Sequence, residues 1–441
     1  MMNFDFRTLN YLGSKLRLLG FIEGHVQRIT PERAGVCDLF AGSGCVSYRL
    51  SRQFPVVACD IQHYSRVINN ALLRKYDDVQ RKVGIFLRML QSKVNCKNVL
   101  LDAFNPLIEF EENAIGGKDA LSLTNVIEHG SVEVYNLERN VSPIDSLLLK
   151  VSNALRRRNI DDERSLISRY YGGVYFSYRQ AVQMDILLEL IFKEISVEER
   201  DLFLAPLLSA ASDVVDTVGK HFAQPIRARD SSGNIKPLVC NKALKDKTVD
   251  VITLYVEWLR RYAALPKACY NSLAVQGDFE KCLETLPADV RTVYADPPYT
   301  REHYSRFYHV LETISLRDTP KVSTVKTYGK IHVSNGIYRA GRFQSPFCIK
   351  SQAIGAFDRM FALSAEDGRN MVLSYSPYDQ SKNSHPRVVT IDQIVEVAEK
   401  YYKKVEIISA GTFHHNKLNS VEHKLEAADE AELLIVSTNA R

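Results

Sequence analysis

Seven short apolar runs punctuate the chain: GVCDLF (35–40), PVVACDI (55–61), SLAVQGDF (272–279), RTVYADPP (291–298), NMVLSYS (370–376), KVEIISA (404–410) and AELLIVS (431–437). Their length and content mark them as strands. Between them, apolar residues recur at helical spacing in SKLRLLGFIEGHVQRI, GCVSYRLSRQF, QHYSRVINNALLRKY, SRFYHVLETISL and IDQIVEVAEKYYKK. Strands alternating with helices predict an α/β fold, a parallel sheet with helices on both faces. The second run ends near 61 and the third begins near 272. A helical crossover needs only about a dozen residues, so the chain between is long enough to be a domain of its own. The pattern predicts one domain over 1–75 and 261–441 and an inserted, largely helical one over 76–260. Runs such as SYRQAVQMDILLELIFKEI and VDVITLYVEWLRRYAAL supply its helices.

Composition changes this picture little. With 441 residues, 45% hydrophobic and 25% charged, the chain fits two ordinary globular domains. No apolar run reaches the roughly 18 residues a membrane helix requires. The opening MMNFDFRTLNYLGSK lacks the apolar region of a secretory signal, so a cytoplasmic protein is expected. Eight scattered cysteines form no CxxC pair, the histidines no HExxH motif, and the adjacent His414 and His415 would point apart on a strand. No metal is expected. The net charge of +5 permits a nucleic-acid partner without requiring one.

Two stretches carry candidate chemistry. CDLFAGSG (37–44) is a strand running into a Gly-rich turn and then a helix, where Gly42 and Gly44 let a ligand approach the backbone closely. Asp60, ending the second strand, stands about 20 residues on, as expected of an acid that binds ribose hydroxyls. Asp38 at the first strand's end would repel a pyrophosphate, and Ser47 occupies the place of the third glycine of a dinucleotide fingerprint. A cofactor with a cationic end fits better, and S-adenosylmethionine is the expectation. The second stretch is VYADPPYTREHYS (293–305). Two prolines cannot continue a sheet or helix interior, so the strand stops at Asp296 and the following chain is rigid. An exocyclic amine of a nucleobase is a weak nucleophile because its lone pair is delocalised. The Asp296 carboxylate and the Pro297 carbonyl, its direction fixed by Pro297 and Pro298, can accept the amine's two N–H groups and turn the lone pair toward a methyl donor. Tyr299 can stack on the base once it leaves the duplex.

These residues give the chain a resemblance to the Dam-type (DPPY) DNA adenine-N6 methyltransferase family. NYLGSKLRLLGFI (10–22) resembles its N-terminal Y-x-G-S-K segment, DLFAGSG (38–44) its cofactor loop, GDF (277–279) the turn before the catalytic strand, DPPY (296–299) the catalytic motif and ELLIVS (432–437) the final antiparallel strand. The order also matches, over roughly 1–75 and 265–441. The resemblance implies a Rossmann-like, mixed seven-stranded sheet. It also implies that Tyr11, Lys15, Asp38, Phe40 and Gly42 line the cofactor's methionine end, that Asp60 holds its ribose, and that Asp278 and Phe279 lie by its adenine. The target base would be held by Asp296, Pro297 and Tyr299. The insertion after the second strand would carry target recognition.

A second insertion, 319–350, holds Lys321, Lys326, Lys330, Arg339, Arg342 and Lys350 with Tyr328, Tyr338, Phe343 and Phe347 and no acid. Positive charge interleaved with aromatics suits a phosphate backbone and an unstacked base. Lys326, Lys330, Arg339 and Arg342 are therefore expected to contact DNA. RRR (156–158) and KHFAQPIRARD (220–230) are weaker candidates, and RYYGGVYFSYRQA (169–181) reads as core. The expected activity is adenine-N6 methylation of double-stranded DNA at a short sequence, by a monomer, in a restriction–modification or host-protection role, with any cognate endonuclease acting separately. Cytosine-N4, RNA and protein methylation remain open alternatives, as does an inactive DNA-binding module, against which the intact Gly42, Asp60, Asp296 and Tyr299 argue.

Overall fold

The computed structural model describes residues 6–95, 97–139, 141–266, 269–301, 303–327, 329–376, 387–410 and 432–441. Tyr328, His414 and His415 lie outside them. The chain forms two compact units, one of Met1–Lys75, Pro266–Ser305 and Phe343–Arg441, the other of Tyr76–Leu265 and Arg306–Arg342. In chain order the described strands are β1 (Gly35–Asp38), β2 (Val56–Asp60), β3 (Leu273–Gln276), β4 (Val290–Ala295), β5 (Thr324–Thr327), β6 (Lys330–Val333), β7 (Asn370–Tyr375), β8 (Tyr402–Ser409) and β9 (Leu433–Ala440).

The first unit is built on a seven-stranded sheet of order β3-β2-β1-β4-β7-β9-β8. Its first five strands run parallel, and β9 is antiparallel to both neighbours. All seven runs expected as strands form one, and the mixed sheet with an antiparallel final strand is as the resemblance implied. β1 and β4 are central because their side chains are apolar on both faces: Val36, Cys37, Val293, Tyr294 and Ala295 are all buried. On one side, helices Ala353–Glu366 and Ile391–Tyr401 press Phe357, Met360, Phe361, Ile394 and Val397 into a core with Val293, Met371 and Leu373. From β1 the chain winds outward through β2 to β3, then returns to β4 on the other side of β1. The carboxyl ends of β1 and β4 therefore flank the topological switch point, where ligands sit in open α/β sheets. Because β9 is antiparallel, with Tyr375 of β7 opposite Leu433, its first residues arrive at this same end of the sheet.

The opposite end of β4 is pinned by one side chain. The buried Arg369 guanidinium donates to the carbonyls of Val290, Leu283 and Leu286, and pairs with Asp367 at 2.5 Å.

The second unit is largely helical, including Val79–Asn95, Val99–Gly116, Tyr178–Glu194, Arg200–Val214 and Val251–Ala263. Its boundaries differ from the expected 76–260. The last of these helices runs past 260 because Tyr255, Trp258, Leu259 and Tyr262 are its buried face, with Tyr255 against Phe86. Residues 306–342 also belong here, so the basic stretch 319–350, expected inside the sheet domain, is divided at 342/343. The physical reason is His309, whose buried ring packs edge-on against Tyr171, Tyr175 and Tyr338. RYYGGVYFSYRQA is core, as read: Tyr170, Tyr171, Tyr175, Phe176 and Tyr178 are all buried. A fully buried Lys247–Glu111 pair at 2.8 Å lies in this unit.

Replacing Arg369 with Met is expected to cost about 3 kcal/mol of stability, because three buried carbonyls lose their donor at once. The thermal unfolding midpoint measures it, and an unchanged midpoint would show that water replaces the guanidinium.

Candidate active site

The Gly-rich turn after β1 is held from several directions. The Ala41 N–H donates to the Cys59 carbonyl at 3.0 Å. Thr8 Oγ1 donates to the Ser43 carbonyl and Ser65 Oγ to the Gly42 carbonyl, both at 2.7 Å. The Gly42 N–H donates to Asp60 Oδ2 at 2.9 Å, and the Gln62 N–H to Oδ1 at 2.8 Å. Gly42 and Gly44 have φ of +48° and +78°. A Cβ on Gly42 would overlap the Tyr11 hydroxyl, and one on Gly44 would lie 2.7 Å from Leu72 Cδ1, so both positions require glycine. The result is a fixed turn lined by Tyr11, with the Asp60 carboxylate oriented by two backbone donors.

Asp38, at the end of β1, is buried and accepts Ser47 Oγ at 2.6 Å. Burial pushes its carboxyl up to about 7, the Ser47 hydrogen bond opposing and the charges of Asp296 and Asp60 adding. Among the described residues no basic side chain pairs with it. The nearby Lys15 ammonium goes elsewhere, to Asp296 and Glu432. A buried acid without a cation suits a ligand with a cationic end.

Asp296 follows β4 directly. Its Oδ1 lies 3.1 Å from Lys15 Nζ, which is also 3.0 Å from Glu432 Oε1. Ser374 of β7 donates to that same Glu432 oxygen at 2.5 Å. Lys15 and Glu432 are buried, whereas the Asp296 side chain is 22% exposed, so Asp296 is the member of the trio that a ligand can reach. Burial pushes Asp296 up to about 6, with Lys15 opposing and Glu432 reinforcing. Burial alone would lower Lys15, but the two carboxylates outweigh it and hold the ammonium well above its ordinary value. Pro297 is buried, and the Cys348 thiol donates to the Pro298 carbonyl at 3.6 Å. The ring of Tyr299 lies 5.1 Å from that of Tyr375 and 4.6 Å from the Arg387 guanidinium. The Tyr299 carbonyl accepts the Val388 N–H at 3.3 Å, which fixes the turn's far end.

At the β2–β3 side, the Gly277 N–H donates to the Asp60 carbonyl at 2.9 Å. Asp278 caps the helix Phe279–Glu284 by accepting the Lys281 N–H, so its carboxylate is engaged locally. Phe279, Phe40 and Phe347 form an aromatic cluster with centroids 5.1–6.5 Å apart. The turn, Asp60, Asp38 and the DPPY segment thus meet at one sheet end, together with Tyr11 and Lys15. Sequence reasoning missed Glu432, Ser374 and Arg387, and read Phe347 only as part of a DNA-facing arm. An acid heading the apolar run ELLIVS was the available signal for Glu432.

The expected DNA contacts lie in the second unit, and they divide. Lys326 and Lys330 are exposed on the hairpin β5–β6, where Lys330 pairs with Thr327 and Lys326 with Ile331. Arg339 does not stand free as expected. It forms a two-pronged ion pair with Asp318 at 2.6 and 3.0 Å and reaches Thr313 Oγ1. Arg342 lies 4.4 Å from the ring centroid of Tyr338, and burial lowers its proton affinity. The weaker basic runs are also engaged: Arg158 with Asp102, Lys220 with Asp246 and Arg229 with Glu128.

A switch-point turn with an acid that has no cationic partner among the described residues stands beside a carboxylate on a rigid strand end, an arrangement suited to a ligand with a cationic end. Comparison with known proteins makes this specific. The model of the D12 class N6 adenine-specific DNA methyltransferase family matches residues 11–137 and 264–347 of the chain. It is similar to the modification methylase LlaI of Lactococcus lactis subsp. lactis, 25% identical over 405 residues covering 89% of this chain and 49% of that protein. It is similar also to the type II methyltransferase M.NlaIII of Neisseria lactamica, 22% identical over 90% of this chain and 89% of the relative. The type II methyltransferase M.FokI of Planomicrobium okeanokoites is 24% identical over 83% of this chain and 44% of its own length. The chain therefore spans about half the length of the LlaI and FokI enzymes. The Dam-type resemblance is borne out.

Asp38 provides a pH test. Its folded value of about 7 lies above its ordinary 3.8, so between those values the unfolded chain has released a proton that the folded one keeps, and stability falls as pH rises. Asp38→Asn keeps an acceptor for Ser47. It is expected to stabilise the ligand-free protein by on the order of 2–4 kcal/mol at pH 8 and by nothing below pH 4, read from denaturant unfolding at the two pH values. An equal effect at both would remove the unpaired charge from the account.

Proposed function

We propose that this protein transfers a methyl group from S-adenosylmethionine to the N6 amine of an adenine flipped out of double-stranded DNA at a short specific sequence, in a restriction–modification setting. The observation that carries this reading is the juxtaposition of an unpaired buried acid, Asp38, with Asp296 on a proline-locked strand end. When bound, S-adenosylmethionine supplies a methyl carbon made electrophilic by its sulfonium. Asp38 answers its positive end, Asp60 its ribose hydroxyls, and the glycine turn allows close approach. Tyr11 and Lys15 border the methionine end, and Phe40 and Phe279 offer an apolar surface for its adenine. Asp278, committed to its helix cap, contributes through that turn's position.

The target amine is oriented by Asp296 and the Pro297 carbonyl, each accepting one N–H. Tyr299 stacks on the extruded base. Positioning and fixed electrostatics do most of the work. The second unit serves target recognition, with Lys326 and Lys330 on phosphates. Arg339 and Arg342 instead shape that surface from within, since each already has an intramolecular partner. The enzyme acts as a monomer. A cognate endonuclease would act separately.

Incubation with labelled S-adenosylmethionine and unmethylated duplex DNA of mixed sequence, followed by digestion to nucleosides, tests the reaction. Labelled N6-methyl-2′-deoxyadenosine is expected, and Asp296→Ala should lower its formation by about 10³-fold or more while cofactor binding persists. Labelled methyl-2′-deoxycytidine would overturn the substrate base, and label on RNA or protein alone would overturn the substrate class. For the DNA contacts, Lys326→Ala/Lys330→Ala is expected to weaken binding across sequences and to reduce the salt slope of log K by about 2. An unchanged slope in a salt titration by fluorescence anisotropy would place the phosphate contacts elsewhere.

A further inference from the structure

We propose that Glu432 is a positioning residue for methyl transfer. Its carboxylate keeps Lys15 charge-compensated whether or not Asp296 carries a proton, and so allows Asp296 to take up the proton that the target amine loses. This rests on the function proposed above.

One ammonium serves two carboxylates at nearly equal distances, 3.0 Å to Glu432 Oε1 and 3.1 Å to Asp296 Oδ1. The two acids are not equivalent. Glu432 is fully buried at the head of β9 and receives the Ser374 hydroxyl, whereas Asp296 is partly exposed at the ligand end of β4. Glu432 is therefore the fixed partner of Lys15 and Asp296 the one whose charge can change. In the reaction the amine lone pair forms the new N–C bond while the methyl–sulfur bond breaks with its electron pair going to sulfur. The sulfonium becomes a neutral thioether, and the positive charge appears on nitrogen, which holds one proton more than the neutral methylamine. Asp296 accepts that proton and later releases it to water. Before the step, Lys15, Glu432 and Asp296 sum to one negative charge, and after it to zero. Without Glu432 the same uptake would leave a buried ammonium with no counter-charge, which burial strongly disfavours.

The raised proton affinity of Asp296 agrees with this arrangement, burial acting first and Glu432 adding. Among the described residues the other groups that face the trio are Tyr294, Tyr299, Asp38 and Cys45, with Arg387 beyond Tyr299. Burial pushes both tyrosines and the cysteine up, so they stay neutral at working pH. Asp38 would be met by the cationic end of the cofactor.

The test is the pH dependence of single-turnover methyl transfer in the wild type, Glu432→Gln and Glu432→Asp. Carboxyl-carbon NMR of the Asp296 titration, assigned with Asp296→Asn, runs beside it. Glu432→Gln keeps an acceptor for Lys15 and Ser374 but removes the charge. Its acid limb and the NMR titration should both move down by about one pH unit, and its plateau rate should fall about tenfold or more. Glu432→Asp should restore the wild-type limb. A lower rate with an unmoved limb and titration would reduce Glu432 to a packing role and overturn the proposal, as would an unchanged rate. If the wild type methylates no nucleobase, the function fails separately. The NMR shift would then still decide whether Glu432 sets the proton affinity of Asp296.

Discussion

A single buried ammonium between two carboxylates, one buried and one partly exposed, governs the reactive end of the sheet. Lys15 comes from the segment before the first helix, Asp296 from the end of β4 and Glu432 from the start of β9, 417 residues along the chain from the lysine. None of these charges could remain ionised at such depth alone, because desolvation would neutralise it. Each therefore requires the others, and that requirement fixes topology. The final strand must be antiparallel for its first residue to reach the carboxyl ends of the parallel strands. The N-terminal segment must fold over the same end. The prolines after Asp296 must stop β4 at the point where the carboxylate meets its partner.

The same end of the sheet holds its charges in two states of satisfaction. The Lys15 trio is internally paired. Among the described residues Asp38 has a hydroxyl but no cation, and Asp60 has backbone donors on both oxygens. Such an arrangement is prepared for a ligand that brings positive charge to Asp38, since binding then removes a penalty the free protein carries. The fixed turn at Gly42 and Gly44 adds to this preparation, because it needs no reordering when a ligand arrives.

Legibility in the sequence followed how local each signal was. The strands, the glycine turn and the proline-locked Asp296 could be read directly, because each is a short-range consequence of backbone sterics or apolar spacing. Glu432 could not. It is one acid in front of an apolar strand, and its meaning lies in a partner at the other end of the chain. The partner of Arg339 was hidden for a related reason. The stretch 319–350 contains no acid, but Asp318 stands one residue outside it and takes the guanidinium. The domain boundary at 305/306 was equally hidden, since it depends on His309 packing among tyrosines rather than on any break in composition.

A carboxylate that activates an amine faces opposing demands. It must be ionised at neutral pH to accept an N–H, yet basic enough to gain from a proton when charge appears on nitrogen. Burial alone would leave it protonated. A lysine alone would hold it ionised but depress its basicity. Burial combined with a lysine whose charge is already shared with a second acid can satisfy both: it raises Asp296 above an ordinary carboxylate, to about 6, and the proposed mechanism draws on that balance. In the proposed mechanism Glu432 serves the chemistry although it is fully buried, because it shares the Lys15 charge that would otherwise act on Asp296 alone.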